Sequence, residues 1–278
     1  MKWLDWVLNV AALLLWLNWR MYRQTITAAR RERSLLVPLK TPPLSALRTW
    51  LSLLAIPVLL IVRAAVYRQL GSAINWTAQL NLQVIVLPFH SQFGPRMLLY
   101  SVLSFGWFLS KFYIWLIIIS VLNQNDLEPG ALLKYVRLQL GAVERWPVAL
   151  KLALPVVTIV IAWLVVSAAL QKMGIVPTSA SILRVAEQGM LIGVAAYLSA
   201  TYLLAVLLFL HLLNSYVYLG EWSIWRLASS TSQQLVKPFF GLRIGRFDLA
   251  ALVGLILIIA IAEVAGRMLP ELYQRLPR

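Results

Sequence analysis

Apolar residues fill long stretches of this chain with few interruptions, and polar residues gather between them. Six stretches have the length a helix needs to cross about 30 Å of hydrocarbon. They lie near 3–19, 47–67, 97–122, 149–170, 186–213 and 248–266. The first is short and carries Asn9 and Asn18. A seventh apolar piece, Leu80–Phe89, is too short to span and ends close to Pro88, so an interfacial or re-entrant segment is expected there.

One apolar phrase occurs three times. Leu54–Val62 reads LAIPVLLIV, Leu152–Val160 reads LALPVVTIV and Leu249–Leu257 reads LAALVGLIL. The copies start 98 and 97 positions apart, and such regular self-similarity predicts three copies of one unit. The expected fold is an all-α polytopic membrane protein forming a single membrane domain. Its six helices form three repeated hairpins, over about residues 1–72, 97–174 and 186–272. A second phrase falls within the connecting loops: Leu35-Leu36-Val37-Pro38, Leu132-Leu133-Lys134-Tyr135 and Leu235-Val236-Lys237-Pro238. In the middle loop, Leu132, Leu133, Val136, Leu140 and Val143 recur at helical spacing, with Lys134 and Arg137 off that stripe. That pattern predicts an interfacial amphipathic helix, its apolar face in lipid and its cations toward headgroups. Pro57 and Pro155 occupy the same place in the first two copies and read as kinks or, more sharply, as hinges. The third copy has Leu252 there.

Composition agrees with the membrane reading. Of the 278 residues, 61% are hydrophobic and 13% charged, against roughly 45–50% and 25% in a soluble domain. Mean hydropathy is +0.78. Twelve Trp suit the membrane–water interface. There is no Cys, which removes disulfides, thiolate metal sites and thiol nucleophiles. Lys2 before an apolar run imitates a secretory signal, but Asp5, bulky Trp and the lack of a small-residue cleavage site favour a retained helix.

Charge sets the expected orientation. The net charge is +15, and 15 of the 25 Lys and Arg lie in the loops after segments one, three and five or in the first residues of the segments that follow them. The positive-inside rule places those loops in the cytoplasm and both termini on the other side. Anionic lipid headgroups then account for the basic balance without nucleic acid.

Ionisable groups within or near the spans are the candidate chemistry, because a charge in hydrocarbon is costly. They are Arg63, Lys111, His211 and Glu263. Arg63 and Glu263 fall at matching depth, so they pair, snorkel separately or line an ion path. Lys111 sits deepest and is the best single candidate for an internal polar site, structural before catalytic. His90 and His211 fall on opposite sides of the expected membrane, which disfavours a bis-His haem. The chain has no H-E-x-x-H, P-loop, G-x-G-x-x-G or G-x-S-x-G. Asn75-Trp76-Thr77 fits a glycosylation acceptor, relevant only in a eukaryotic secretory setting. In the third loop, Lys237, Arg243 and Arg246 are candidate lipid or partner contacts, and Asp248 is placed to cap the last helix.

Pro238, Arg243, Gly245, Asp248 and Leu249 give this loop a likeness: it resembles the YggT family of small bacterial and plastid membrane proteins. Ala250-Ala251 stands where that family has Ser-Pro, and the first two copies lack the Asp. The resemblance covers about 60 residues. It implies a non-enzymatic membrane protein linked to complex assembly, cell-division or nucleoid organisation, or osmotic tolerance. The expectation is therefore a scaffold, assembly factor or accessory subunit in a bacterial inner membrane. It contacts anionic lipid and other membrane proteins, has no cofactor and binds no nucleic acid. A small-solute or ion transporter is the alternative, and a membrane enzyme ranks third, since no acid, base or metal cluster is evident.

Overall fold

A computed structural model describes residues 2–32, 44–73, 75–126, 130–177, 181–217, 222–237, 243–244 and 247–275. The described chain is mostly helical. Its elements in order are α1 (Lys2–Glu32), α2 (Leu44–Ala73), β1 (Thr77–Asn81), β2 (Val86–His90), α3 (Gly94–Leu122) and α4 (Ala131–Leu140), the last followed by a 3-10 turn, Gly141–Arg145. Then come α5 (Val148–Lys172), α6 (Ile182–Ala196), α7 (Leu198–Tyr216), α8 (Ser223–Val236), β3 (Arg243–Ile244), β4 (Phe247–Asp248) and α9 (Leu249–Arg275).

Among the described residues, five helical stretches are long and apolar enough to cross a membrane: Trp50–Ala73, Gly94–Leu122, Val148–Lys172, Ile182–Ser215 and Ala250–Arg275. A multi-pass membrane protein follows. The expected sixth segment, 3–19, lies inside the 31-residue α1 and is not among the five. Asp5, Asn9, Asn18 and the indoles dilute its apolar content. The expected single segment 186–213 is two helices joined at Tyr197. There the backbone N–H of Tyr197 bonds the carbonyl of Val194, and that of Ala200 bonds Tyr197, a tightened turn inside one apolar stretch. Pro57 and Pro155 sit inside α2 and α5, and both helices continue through them.

Leu80–Phe89 departs furthest from expectation. It contributes to two strands, β1 and β2, that pair in a two-stranded sheet. Ala78, Leu80, Leu82 and Val84 are buried while Gln79 and Asn81 are exposed, the period of a strand rather than of a buried run.

The chain divides into two compact units, one of Met1–Leu80 with Pro88–Leu109, the other of Asn81–Leu87 with Ser110–Arg278. In the first, α1 packs on α2, and Ala12, Ile56, Leu60 and Phe105 form a small apolar core. The backbone of α2 comes close to the chain entering α3. A methyl placed on Gly71 would stand 2.5 Å from the Ser91 Cβ.

In the second unit α5 and α6 make the closest helix pair. Gly189 and Gly193 lie one turn apart on α6. A Cβ on either would sit 3.1 Å from a backbone Cα of α5, at Val160 and Val156 respectively. This is the small-xxx-small contact that lets membrane helices approach. α7 packs along α8 and α9, with Leu208, Val236, Ala250 and Ala251 buried together.

α4 forms where the amphipathic helix is expected, over a shorter range, but its apolar face is turned to protein. Leu133, Val136 and Leu140 pack with Leu116, Ile117 and Ile119 of α3, and Leu203 and Leu227 lie against them. That face is core, so the expected lipid-facing stripe is corrected. Two of the loop phrases fall at different places in their helices. Leu132-Leu133 lies in the first turn of α4 and Leu235-Val236 in the last turn of α8. The phrase at Leu35–Pro38 lies outside the described residues.

Candidate functional site

Three helices of the first unit each carry two polar side chains one turn apart: Asp5 and Asn9 on α1, Arg63 and Tyr67 on α2, Tyr100 and Ser104 on α3. Side chains at i and i+4 share one helix face, so each helix presents a polar patch in an apolar surface. The patches meet. Arg63 is 2% exposed. Its Nη2 donates to Asp5 Oδ1 at 2.5 Å and to Ser104 Oγ at 3.0 Å, and its Nη1 donates to Asn9 Oδ1 at 2.8 Å. Asn9 Nδ2 donates to the same Ser104 hydroxyl at 3.1 Å. The phenols of Tyr67 and Tyr100 donate to the two carboxylate oxygens of Asp5, at 2.7 and 3.0 Å. Both rings also lie near the guanidinium, 5.4 and 5.5 Å from centroid to Cζ, within cation–π range.

The charges cancel within this cluster. Asp5 has both oxygens engaged, and Arg63 leaves only Nε without a partner. In hydrocarbon that arrangement removes the cost of either charge alone. It also ties α1, the least apolar of the long helices, to α2 and α3. Of the three alternatives for Arg63 and Glu263, the pairing of one with the other is therefore excluded. Arg63 pairs with Asp5, and Glu263 pairs with Arg267 one turn along α9, at 2.6 Å. That second pair is open to the surroundings, with side-chain exposures of 64% and 76%.

A second polar network lies in the other unit. Glu144 accepts from the Ser120 hydroxyl, and Lys151 Nζ approaches Glu144 at 3.5 Å and Ser120 at 3.4 Å. Arg137 Nη2 donates to the carbonyls of Asn123 and Asp126, so this residue turns inward. Asn123 in turn donates to Thr231 Oγ1 at 2.8 Å and accepts from Ser230. The network joins the end of α3, the 3-10 turn, the start of α5, and α8. Lys151 is buried in the first turn of α5.

Lys111 is half-buried in α3. His211 is buried on α7, with Nδ1 3.1 Å from the Ser229 hydroxyl, and His90 is exposed. Lys237 caps the C-terminus of α8 and is exposed. Arg243 and Asp248 are backbone partners in the β3–β4 ladder, and Asp248 directly precedes α9. Arg246, Gly245 and Pro238 lie outside the described residues. Among the described residues, no three His, Asp or Glu side chains gather as a metal site.

Sequence reading found Arg63 and missed everything that holds it. The signal was present as three i, i+4 polar pairs on otherwise apolar helices. A one-dimensional hydropathy sum averages such pairs away.

Comparison with protein-family models, with curated proteins and with solved structures gives no match for this chain.

Proposed function

We propose that this chain is a non-enzymatic scaffold or accessory subunit of a membrane complex. In this reading it has six membrane segments in three hairpins, α1 being the sixth, held in place by Arg63. It sits in a bacterial inner membrane with both termini on the non-cytoplasmic side, as the distribution of Lys and Arg suggests. The YggT-like loop before α9 belongs to the same reading.

The observation that carries the proposal is the state of α9. Only 6% of its apolar window is buried within the chain, against 22–44% for the other four candidate spans. Ile256, Ile259, Ile261 and Val264 are all more than half exposed. An apolar helix attached along one side has most of its surface left for other transmembrane helices or lipid. Arg63, meanwhile, is engaged with Asp5, and Glu263 with Arg267, which supports a structural role for both.

Photo-crosslinking residues introduced at Ile256, Ile259 and Val264, in native membranes, test this. One discrete protein adduct, and co-purification of that protein near one-to-one in mild detergent, is the expected result. Lipid adducts alone at all three positions would overturn the reading.

Solute transport is the second reading. The α6–α7 joint at Tyr197 interrupts an apolar stretch as transporter helices are interrupted, and Lys111 is half-buried in α3. Ion or solute flux in liposomes holding only this chain would favour it.

A further inference from the structure

The second unit contains a groove of about 230 Å³ that the scaffold reading does not use. It is lined by Gln83, Thr201, Tyr202, Glu263, Gly266 and Arg267, together with Leu198 and Ala262. Glu263 and Arg267 face open surroundings on a helix that is apolar from Leu249 to Ala262 and almost uncovered. Opposite charges at that place need a polar neighbour, because acyl chains solvate neither. Depth indicates what kind. At 1.5 Å per residue the two charges stand about 21 and 27 Å from the start of α9, near the far edge of a hydrocarbon layer about 30 Å thick. That is where headgroups begin.

We propose that this groove holds the zwitterionic headgroup of a phospholipid carrying a primary ammonium, of the phosphatidylethanolamine class. The phosphate lies against the Arg267 guanidinium and the ammonium against the Glu263 carboxylate. The protein pair and the headgroup are each neutral overall and each separate their charges over a short distance, so they align antiparallel. Gln83 supplies both an amide donor and an amide acceptor. Its backbone N–H bonds Asn81 Oδ1 at 2.7 Å, which fixes the turn that carries it. Thr201 donates its hydroxyl proton to the Leu198 carbonyl, leaving oxygen lone pairs for the ammonium. Tyr202 is exposed and of the type enriched at interfaces. Gly266 leaves open space beside it: a Cβ there would meet nothing within 4 Å. The acyl chains then run along the uncovered apolar surface of α9. This assignment rests on the chain being a membrane protein and not on the identity of any partner.

The test uses the purified full chain in detergent, loaded with an equimolar mixture of phosphatidylethanolamine and phosphatidylglycerol and read by native mass spectrometry. The expected result is one retained phosphatidylethanolamine, preferred by at least about tenfold, the discrimination one extra charged hydrogen bond supplies. Gly266→Leu places its Cβ in open space and its branched end in the groove, and should abolish retention while leaving the melting temperature unchanged. Glu263→Gln should erase the preference between the two lipids. Soluble phosphoethanolamine at the same concentration should not compete, because it lacks the chains. Equal retention of both lipids by the unaltered chain overturns the proposal. So does retention that survives Gly266→Leu, and displacement by phosphoethanolamine would replace the lipid by a free solute.

Discussion

Among the described residues, the arginine–carboxylate pair that joins α1 to α2 and the one that lies along α9 are opposites. Arg63 reaches from α2 to Asp5 on α1, is almost wholly buried, and is surrounded by Asn9, Ser104, Tyr67 and Tyr100. Arg267 reaches one turn back along α9 to Glu263, and both are mostly exposed. The first pair connects helices; the second connects a helix to itself. A charge that neutralises a charge on another helix determines how helices pack. A charge neutralised within its own helix determines nothing about packing and stays available to whatever lies outside. The same residue types therefore act as a structural clasp in one unit and as an open surface feature in the other.

Breaking the buried clasp should have the largest effect. Arg63→Leu leaves the Asp5 carboxylate in an apolar setting with only two phenol donors. Removing one partner of a buried pair costs about 3–5 kcal/mol. The melting temperature in detergent should fall sharply, and α1 should detach. The chain contains no Cys, so Ala12→Cys is a clean probe of that helix. Ala12 is fully buried and the introduced thiol should resist maleimide until Arg63→Leu is added. Asp5→Leu combined with Arg63→Leu should recover most of the loss, since an apolar pair can replace an ion pair at little cost. A double variant as unstable as the single one would show that the charges are not coupled.

Apolar contacts in the second unit come next. Leu133→Ala removes buried side chain between α4 and α3 and should cost about 2–5 kcal/mol, whereas exposed Lys134→Ala should stay within about 0.5 kcal/mol. If α4 were merely a lipid-facing surface helix, the two would differ little in detergent. Gly193→Leu forces a side chain against the Val156 backbone and should cost about 1–3 kcal/mol as α5 and α6 separate. Gly266→Leu, on the open helix, is its control and should be silent in the same melting experiment.

Hydropathy alone located most long helices, because crossing a membrane demands a run length that sequence displays directly. α2, α3, α5 and α9 all contain their expected segments apart from a residue at one end. What it missed depends on contact between segments. The amphipathic stripe on α4 was visible, but a stripe cannot say whether lipid or α3 covers it. Arg63 was visible, but its partner lies 58 positions earlier in a helix that was judged by its average. Gly189 and Gly193 were readable as a close-packing pair, a signal overlooked beside the louder apolar repeat. At Ala78–Val84 the polar residues alternate strictly with apolar ones, and weighing the run by its hydrophobicity hid a strand.

The smallest effect belongs to the exposed pair. Glu263→Gln removes one charge from an i, i+4 contact that is more than half exposed at both ends. Such pairs contribute about 0.3–0.5 kcal/mol, so the melting temperature should hardly move. Arg267→Gln should behave alike, and the double variant should cost no more than either single one, since each removes the same contact. The contrast with Arg63→Leu is then one of kind. Losing Arg63 removes a tie among three helices, while losing Glu263 changes only the surface that α9 presents. An effect of Glu263→Gln on stability comparable to that of Arg63→Leu would mean that something covers this face of α9 in the purified protein. A silent melt together with a changed lipid complement would place the role of this pair outside the fold, at the boundary with the bilayer.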